Sequence, residues 1–157
     1  MPDGPRYEDD FYAWSQYQAE ILRTMTARDN RFDRANVAEE IEDLGKSERD
    51  AVRSEVRRIL EHFLKLAYSP ATEPSADWMA SIAGARAQLD DKLSPTLRHD
   101  AQTVLGRLYA NARRVAALGL SKYEEGNAAD RLPTDCPYTL DQVLAEDWYP
   151  GPAEPSN

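Results

Sequence analysis

The chain has a single cysteine, Cys136, among 157 residues. It therefore closes no internal disulfide and cannot supply the several thiolates of a structural zinc site. Histidine is nearly as scarce. His62 and His99 are the two in the chain, and Ile59 and Thr96 stand three positions before them. The Glu-x-x-His pairs of a di-iron carboxylate bundle are thus missing, and so is HExxH. There is no GxSxG elbow, no phosphate-binding glycine loop and no dinucleotide fingerprint. No metal and no cofactor are expected on these grounds. No apolar run reaches the roughly 18 residues that a membrane span needs, and the start, MPDGPRYEDDFY, lacks the basic-then-apolar character of a signal peptide. Positive charge is short as well: 19 Lys and Arg against 28 Asp and Glu leave a net −9. Such a chain is repelled by polyphosphate and by anionic lipid at long range, so neither nucleic acid nor a membrane is an expected partner. A cytoplasmic location in a reducing compartment is the expectation.

What the chain does have is helical periodicity. Hydrophobic residues make up 41% and charged residues 30%, ordinary values for a globular protein and against wholesale disorder. Phe11, Trp14, Ile21, Leu22 and Met25 recur at threes, fours and sevens behind Asp9 and Asp10, which offer a cap. Val37, Ile41 and Leu44 mark a second segment that Asn36 can cap. Val52, Val56, Ile59, Leu60, Phe63 and Leu64 mark a third, stopped by the prolines of SPATEP. Gly45 reads either as a tolerated interior glycine, leaving residues 36–68 as one kinked helix, or as a break ahead of a Ser47 cap that makes them two; the break is the favoured expectation. Ser75 can cap a fourth segment with Trp78, Ile82, Leu89 and Leu93 inward. SPTL places a serine cap before a proline at the first helical position, opening a fifth helix with Leu97, Ala101, Val104, Leu105, Leu108, Ala112 and Val115, closed near Gly119. Thr139 to Gln142 reads as a capping box on a short last helix. Strand-like alternation is absent. The expected fold is all-α, an antiparallel bundle of five to six helices in a single domain over 7–150, with flexible termini at 1–6 and 151–157.

Four stretches in order, YEDDFYAW, NVAEEIEDLGKSERD followed by LEHFLK, WMASIAGAR, and CPYTLDQVLAEDWYP, resemble the bacterial family called domain of unknown function 29. The resemblance runs from about Tyr7 to Pro150. The chain departs from it at Phe63 and Leu66, where a leucine and an aromatic residue would stand in an HLLKW-like stretch. The resemblance implies an all-α fold in a bacterial protein and implies no activity.

Two functional classes follow from the residues. One is a helical interaction protein that binds itself or another protein. Its candidate residues are Glu39, Asp43, Arg49, Arg53, Trp78 and Arg86, with Trp78 and Arg86 as an aromatic anchor and a rim arginine. The segment EEIED packs four carboxylates into five residues, 39–43, and arginines repeat at 49, 53 and 57. Like charges at that spacing repel, so the acidic segment is their expected complement. The complement forms either within one chain folded back at Gly45, or in an antiparallel contact of two copies about an axis near Lys46, where Glu39 faces Arg53 and Asp43 faces Arg49. The alternative is a small-ligand binder or enzyme with an inter-helix pocket around Glu42, His62, Lys65 and Trp78. A concave pocket holding His62 beside a carboxylate favours the second class, and a flat apolar patch favours the first. Cys136 has no sequence-local base and reads as a packing residue.

Overall fold

The chain folds into six helices, with no strand among the described residues: α1 (Phe11–Thr24), α2 (Arg34–Tyr68), α3 (Ser75–Lys92), α4 (Pro95–Ser121), α5 (Gly126–Asp130) and α6 (Leu140–Leu144). This computed structural model describes residues 3–26, 28–122 and 126–153. The fold is all-α. Among the described residues no helix is long and apolar enough to cross a membrane. Backbone packing divides the chain into two compact units. The first comprises Met1–Val52 with Lys92–Asp100, and the second Arg53–Asp91 with Ala101–Asn157.

In the first unit the caps organise the helix ends. Asp10 is the N-cap of α1, where its Oδ1 accepts the Ala13 N–H at 2.9 Å, and its Oδ2 accepts the Thr96 N–H at 3.0 Å in the first turn of α4. One carboxylate thus satisfies orphan donors on two helices at once. Ser94 accepts the Leu97 N–H at 3.2 Å with Pro95 beginning the helix, as the SPTL stretch predicts. At the start of α2 the cap is Asp33, whose side chain accepts the Asn36 N–H, so the helix opens before Asn36 rather than at it. Burial raises the Asp10 pKa, but hydrogen bonds from Thr96 and Ala13 outweigh it and hold the carboxyl below its ordinary 3.8. Its stabilising contribution is therefore complete above that ordinary value and is lost as pH falls through the lowered one. Asp10→Ala should cost about 2 kcal/mol near neutral pH, the upper end for a single cap. Thermal melts of the variant and the wild type should converge in acid; a constant gap at all pH values would contradict this.

Gly45 does not break the helix. α2 runs unbroken for 35 residues, so the expected division into two helices is corrected, and with it the fold-back of the acidic segment onto the arginines of its own helix. The glycine is where α2 meets α1: a Cβ built at position 45 would collide with Ser15 Oγ. The residues that α1 buries are Ser15 and Ala19, both small, which permits that close approach.

The second unit holds most of the large buried side chains. Val56, Ile59, Leu60, Phe63 and Leu64 of α2 are fully buried, as are Ile82 of α3 and Ala112 and Ala116 of α4. α4 continues to Ser121, past the glycine expected to close it; Gly119 is interior and lies against the Lys65 side chain, with a built Cβ 3.1 Å from Lys65 Cε. Tyr109 and Arg113 hold the loop before α6, both donating to the Pro133 carbonyl, at 2.5 and 2.9 Å. Burial pushes the Tyr109 hydroxyl up to about 12, so it is a permanent donor there. The expected capping box of α6 is present, with Thr139 accepting from the Gln142 N–H and Gln142 from the Thr139 N–H. Beyond α6, the Ala153 N–H donates to the Ala67 carbonyl at 2.7 Å near the end of α2.

Candidate functional site

In the first unit, Glu42 is the hub of a small ion cluster. Its carboxylate pairs with Lys46 one turn on and with Arg23 of α1, each at 2.5 Å, and its backbone carbonyl accepts from Gln16 at 3.0 Å. Lys46 first and Arg23 second hold the Glu42 carboxyl below its ordinary value. A carboxylate committed to two cations inside its own unit positions helices; it is not poised as a base. Glu39 and Asp43 are exposed on the same helix, and Arg49 is bonded to its neighbour Asp50 at 3.1 Å.

The outward face of α1 is the less expected feature. Tyr17, Ile21 and Met25, at i, i+4 and i+8, are 37%, 37% and 46% exposed. Trp14 borders them, half-buried, with its ring packed on those of Tyr7 and Phe11. On a helical wheel Trp14, Tyr17, Ile21 and Met25 fall within one 80° arc, opposite Ser15 and Ala19. The helix fully buries only the small Ser15 and Ala19, while Tyr17, Ile21 and Met25 are exposed and Phe11, Tyr12, Trp14 and Leu22 are half-buried. Periodicity groups Ile21 and Met25 with Phe11 and Trp14 without giving the direction of the series, and the small side chains are the ones that fit against Gly45. Phe32 and Leu44, 47% and 58% exposed, extend the apolar surface of this unit.

In the second unit, the pocket candidates are engaged separately. His62 Nδ1 is 2.8 Å from the Arg58 carbonyl one turn back, and Lys65 pairs with Glu61 at 2.9 Å. Trp78 is half-buried on α3. Among the described residues no hydrogen bond or ion pair joins His62, Lys65 and Trp78. A concavity of about 250 Å3 is lined by Tyr68, Pro137, Tyr138, Gln142 and Trp148 among others. Another, of about 310 Å3, is lined by Ala83, Arg86, Ala87, Asp90, Glu146 and Asp147. Neither is lined by His62 or by the other pocket candidates.

Arg86 is not a rim arginine. It is 4% exposed and donates to four carbonyls: Trp148 at 2.8 Å, Val143 at 2.9 Å, Gln142 at 3.0 Å and Glu146 at 3.3 Å. Its guanidinium also lies over the rings of Tyr149 and Phe63, 5.1 and 5.6 Å from their centroids. Burial lowers its pKa, opposed by Tyr149, Asp147 and Glu146; an arginine stays charged regardless. The side chain gathers the carbonyls that α6 and the segment after it cannot satisfy themselves. Phe63, Tyr138 and Trp148 pack edge-on against one another, with Phe63 beneath the guanidinium. Position 86 sits on the Trp78–Ile82 face, but nothing in the sequence announces four carbonyl partners about 60 residues away.

Cys136 Sγ donates to the Tyr138 carbonyl at 3.3 Å, and burial pushes its thiol up, away from the reactive thiolate. Among the described residues no three His, Cys, Asp or Glu side chains come together as metal ligands.

The comparisons agree with this architecture. The crystal structure of an alpha-helical protein of unknown function from Rhodospirillum rubrum superposes with a TM-score of 0.82, covering 93% of each chain at 26% identity. No curated protein matches the sequence. The family model described as domain of unknown function DUF29 matches residues 6–149, and the chain belongs to that family.

Proposed function

We propose that this protein is a non-enzymatic helical interaction module whose working surface is the outward face of α1. The observation that carries the reading is the inversion of that helix: Ser15 and Ala19 are buried while Tyr17, Ile21 and Met25 face outward. Spacing near i, i+3, i+7 and i+11 through Trp14, Tyr17, Ile21 and Met25 is how an amphipathic helix presents anchors to an apolar groove. Aromatic side chains in such a row are typical energetic anchors. The arc carries no charged side chain, so covering it strands no ion. The alternative, a ligand pocket around Glu42, His62, Lys65 and Trp78, has less support, because Glu42, His62 and Lys65 already have partners in their own units.

The test is the size of the assembly in native extract. Wild-type protein should elute well above its 17.7 kDa mass. Ile21→Glu with Met25→Glu should elute as the bare chain while keeping its helical circular dichroism. Identical elution of the two proteins would reject the reading.

A further inference from the structure

The stretch 101–121 of α4 contains no acidic residue, in a chain of net charge −9. It carries Arg107, Arg113 and Arg114. Arg113 is occupied by the Pro133 and Leu132 carbonyls. Arg107 and Arg114 are exposed and have no carboxylate partner among the described residues; Arg114 donates only to Asn111 Oδ1 one turn back, at 3.2 Å. Elsewhere Arg6, Arg23, Arg31, Arg49 and Arg58 each pair with a carboxylate. Leu118, 72% exposed, and Val115, 46% exposed, lie beside the two arginines. Successive positions 107, 110, 114 and 118 fall on one stripe of the helix, with Ala110 as a shallow seat between the two cations.

An outward helical face of the opposite kind stands in the first unit: Glu40, Asp43 and Leu44 of α2, all exposed, with Leu44 at 58%. We infer that the Arg107–Ala110–Arg114–Leu118 face of α4 docks the Glu40–Asp43–Leu44 face of α2 from a second copy of this chain. The inference rests on the same reading of the protein as an interaction module, on a different surface from α1. Laid antiparallel with Leu44 over Ala110, the helices bring Glu40 opposite Arg114 and Asp43 level with Asn111, the residue that already steers Arg114. Arg107 and Arg114 are about 10 Å apart along the axis, so they bracket the seated leucine. The acidic segment thus finds its basic complement on α4. Arg49 and Arg53 of its own helix are already engaged. A Debye length of about 8 Å in physiological salt leaves the local charges in control despite the overall negative charge of both copies. Nucleic acid would satisfy the arginines but leave Leu118 and Val115 uncovered.

Sedimentation equilibrium with a charge-swap pair tests this. Wild type should self-associate, more weakly as salt rises. Arg107→Glu with Arg114→Glu should weaken association at least about tenfold, as should Glu40→Arg with Asp43→Arg. The two variants mixed should associate again, because each contact then pairs opposite charges. All these residues are exposed, so folding should survive, and circular dichroism checks it. A monomeric wild type, or association indifferent to both swaps, would overturn the proposal. So would a monomeric chain whose arginines instead bind duplex DNA or anionic vesicles. Ile21→Glu separates the two surfaces. If it abolishes self-association and the charge swaps do not, the α1 reading stands and this one falls.

Discussion

Arg86→Ala should destabilise the fold by about 3–5 kcal/mol, at least about a fifth of the stability of an ordinary domain. Three losses add. Four carbonyls lose their shared donor, and those of Gln142 and Val143 lie in a five-residue helix with few means of replacing it. The rings of Phe63 and Tyr149 lose the cation above them. The side chain leaves a cavity in a site that is 4% exposed. Arg86→Lys should recover little, since one ammonium cannot span four acceptors as a planar guanidinium does. Arg86→Met, which fills the space without donors, should fall between the wild type and alanine if packing matters, and match alanine if the carbonyls dominate. Urea unfolding reads all three. A change under about 1 kcal/mol for Arg86→Ala would contradict this account of α6.

Gly45→Ala should also destabilise, against the intrinsic preference of a helix. Alanine in a helix interior is favoured over glycine by about 1 kcal/mol. At position 45 the new methyl would collide with Ser15 Oγ and stand 3.1 Å from Ser15 Cβ, so α1 must back away, at a cost of about 1–3 kcal/mol net. Gly106→Ala is the control. A Cβ there meets nothing within 4 Å, so the same substitution should stabilise by about 0.5–1 kcal/mol. Adding Ser15→Ala to Gly45→Ala should restore part of the loss. Equal effects at positions 45 and 106 would contradict a close approach of α1 to α2.

Gly45 also shows why some of the fold could be read from the chain and some could not. Short-range chemistry was legible. Asp10, the Ser94–Pro95 pair and the Thr139–Gln142 box each act within three or four residues, and each does what its local pattern says. Gly45 in isolation reads as a breaker. Its actual role depends on Ser15, 30 positions away, which no local window contains. The same long-range contact sets which way the faces of α1 point. Apolar periodicity identifies a stripe but not its direction, and here the helix turns Ser15 and Ala19 toward the glycine because large side chains would not fit. Arg86 was missed for a related reason, since a buried cation is recognisable only once the carbonyls of residues 142–148 have been folded around it. Chemical type alone marks the candidate pocket residues in the sequence, and the structure commits three of them locally: Glu42 to Lys46 and Arg23, His62 to the Arg58 carbonyl, and Lys65 to Glu61.

The central claim is that the outward face of α1 is covered by protein in the cell, and site-specific photocrosslinking tests it most directly. A benzophenone amino acid placed at Tyr17, Ile21 or Met25, one position at a time, should give a discrete higher-mass adduct on irradiation of living cells. The same probe at Ala80 or Gln88, exposed positions on α3, should give none. Adducts absent from all three α1 positions, or equally strong at the α3 positions, would contradict the claim.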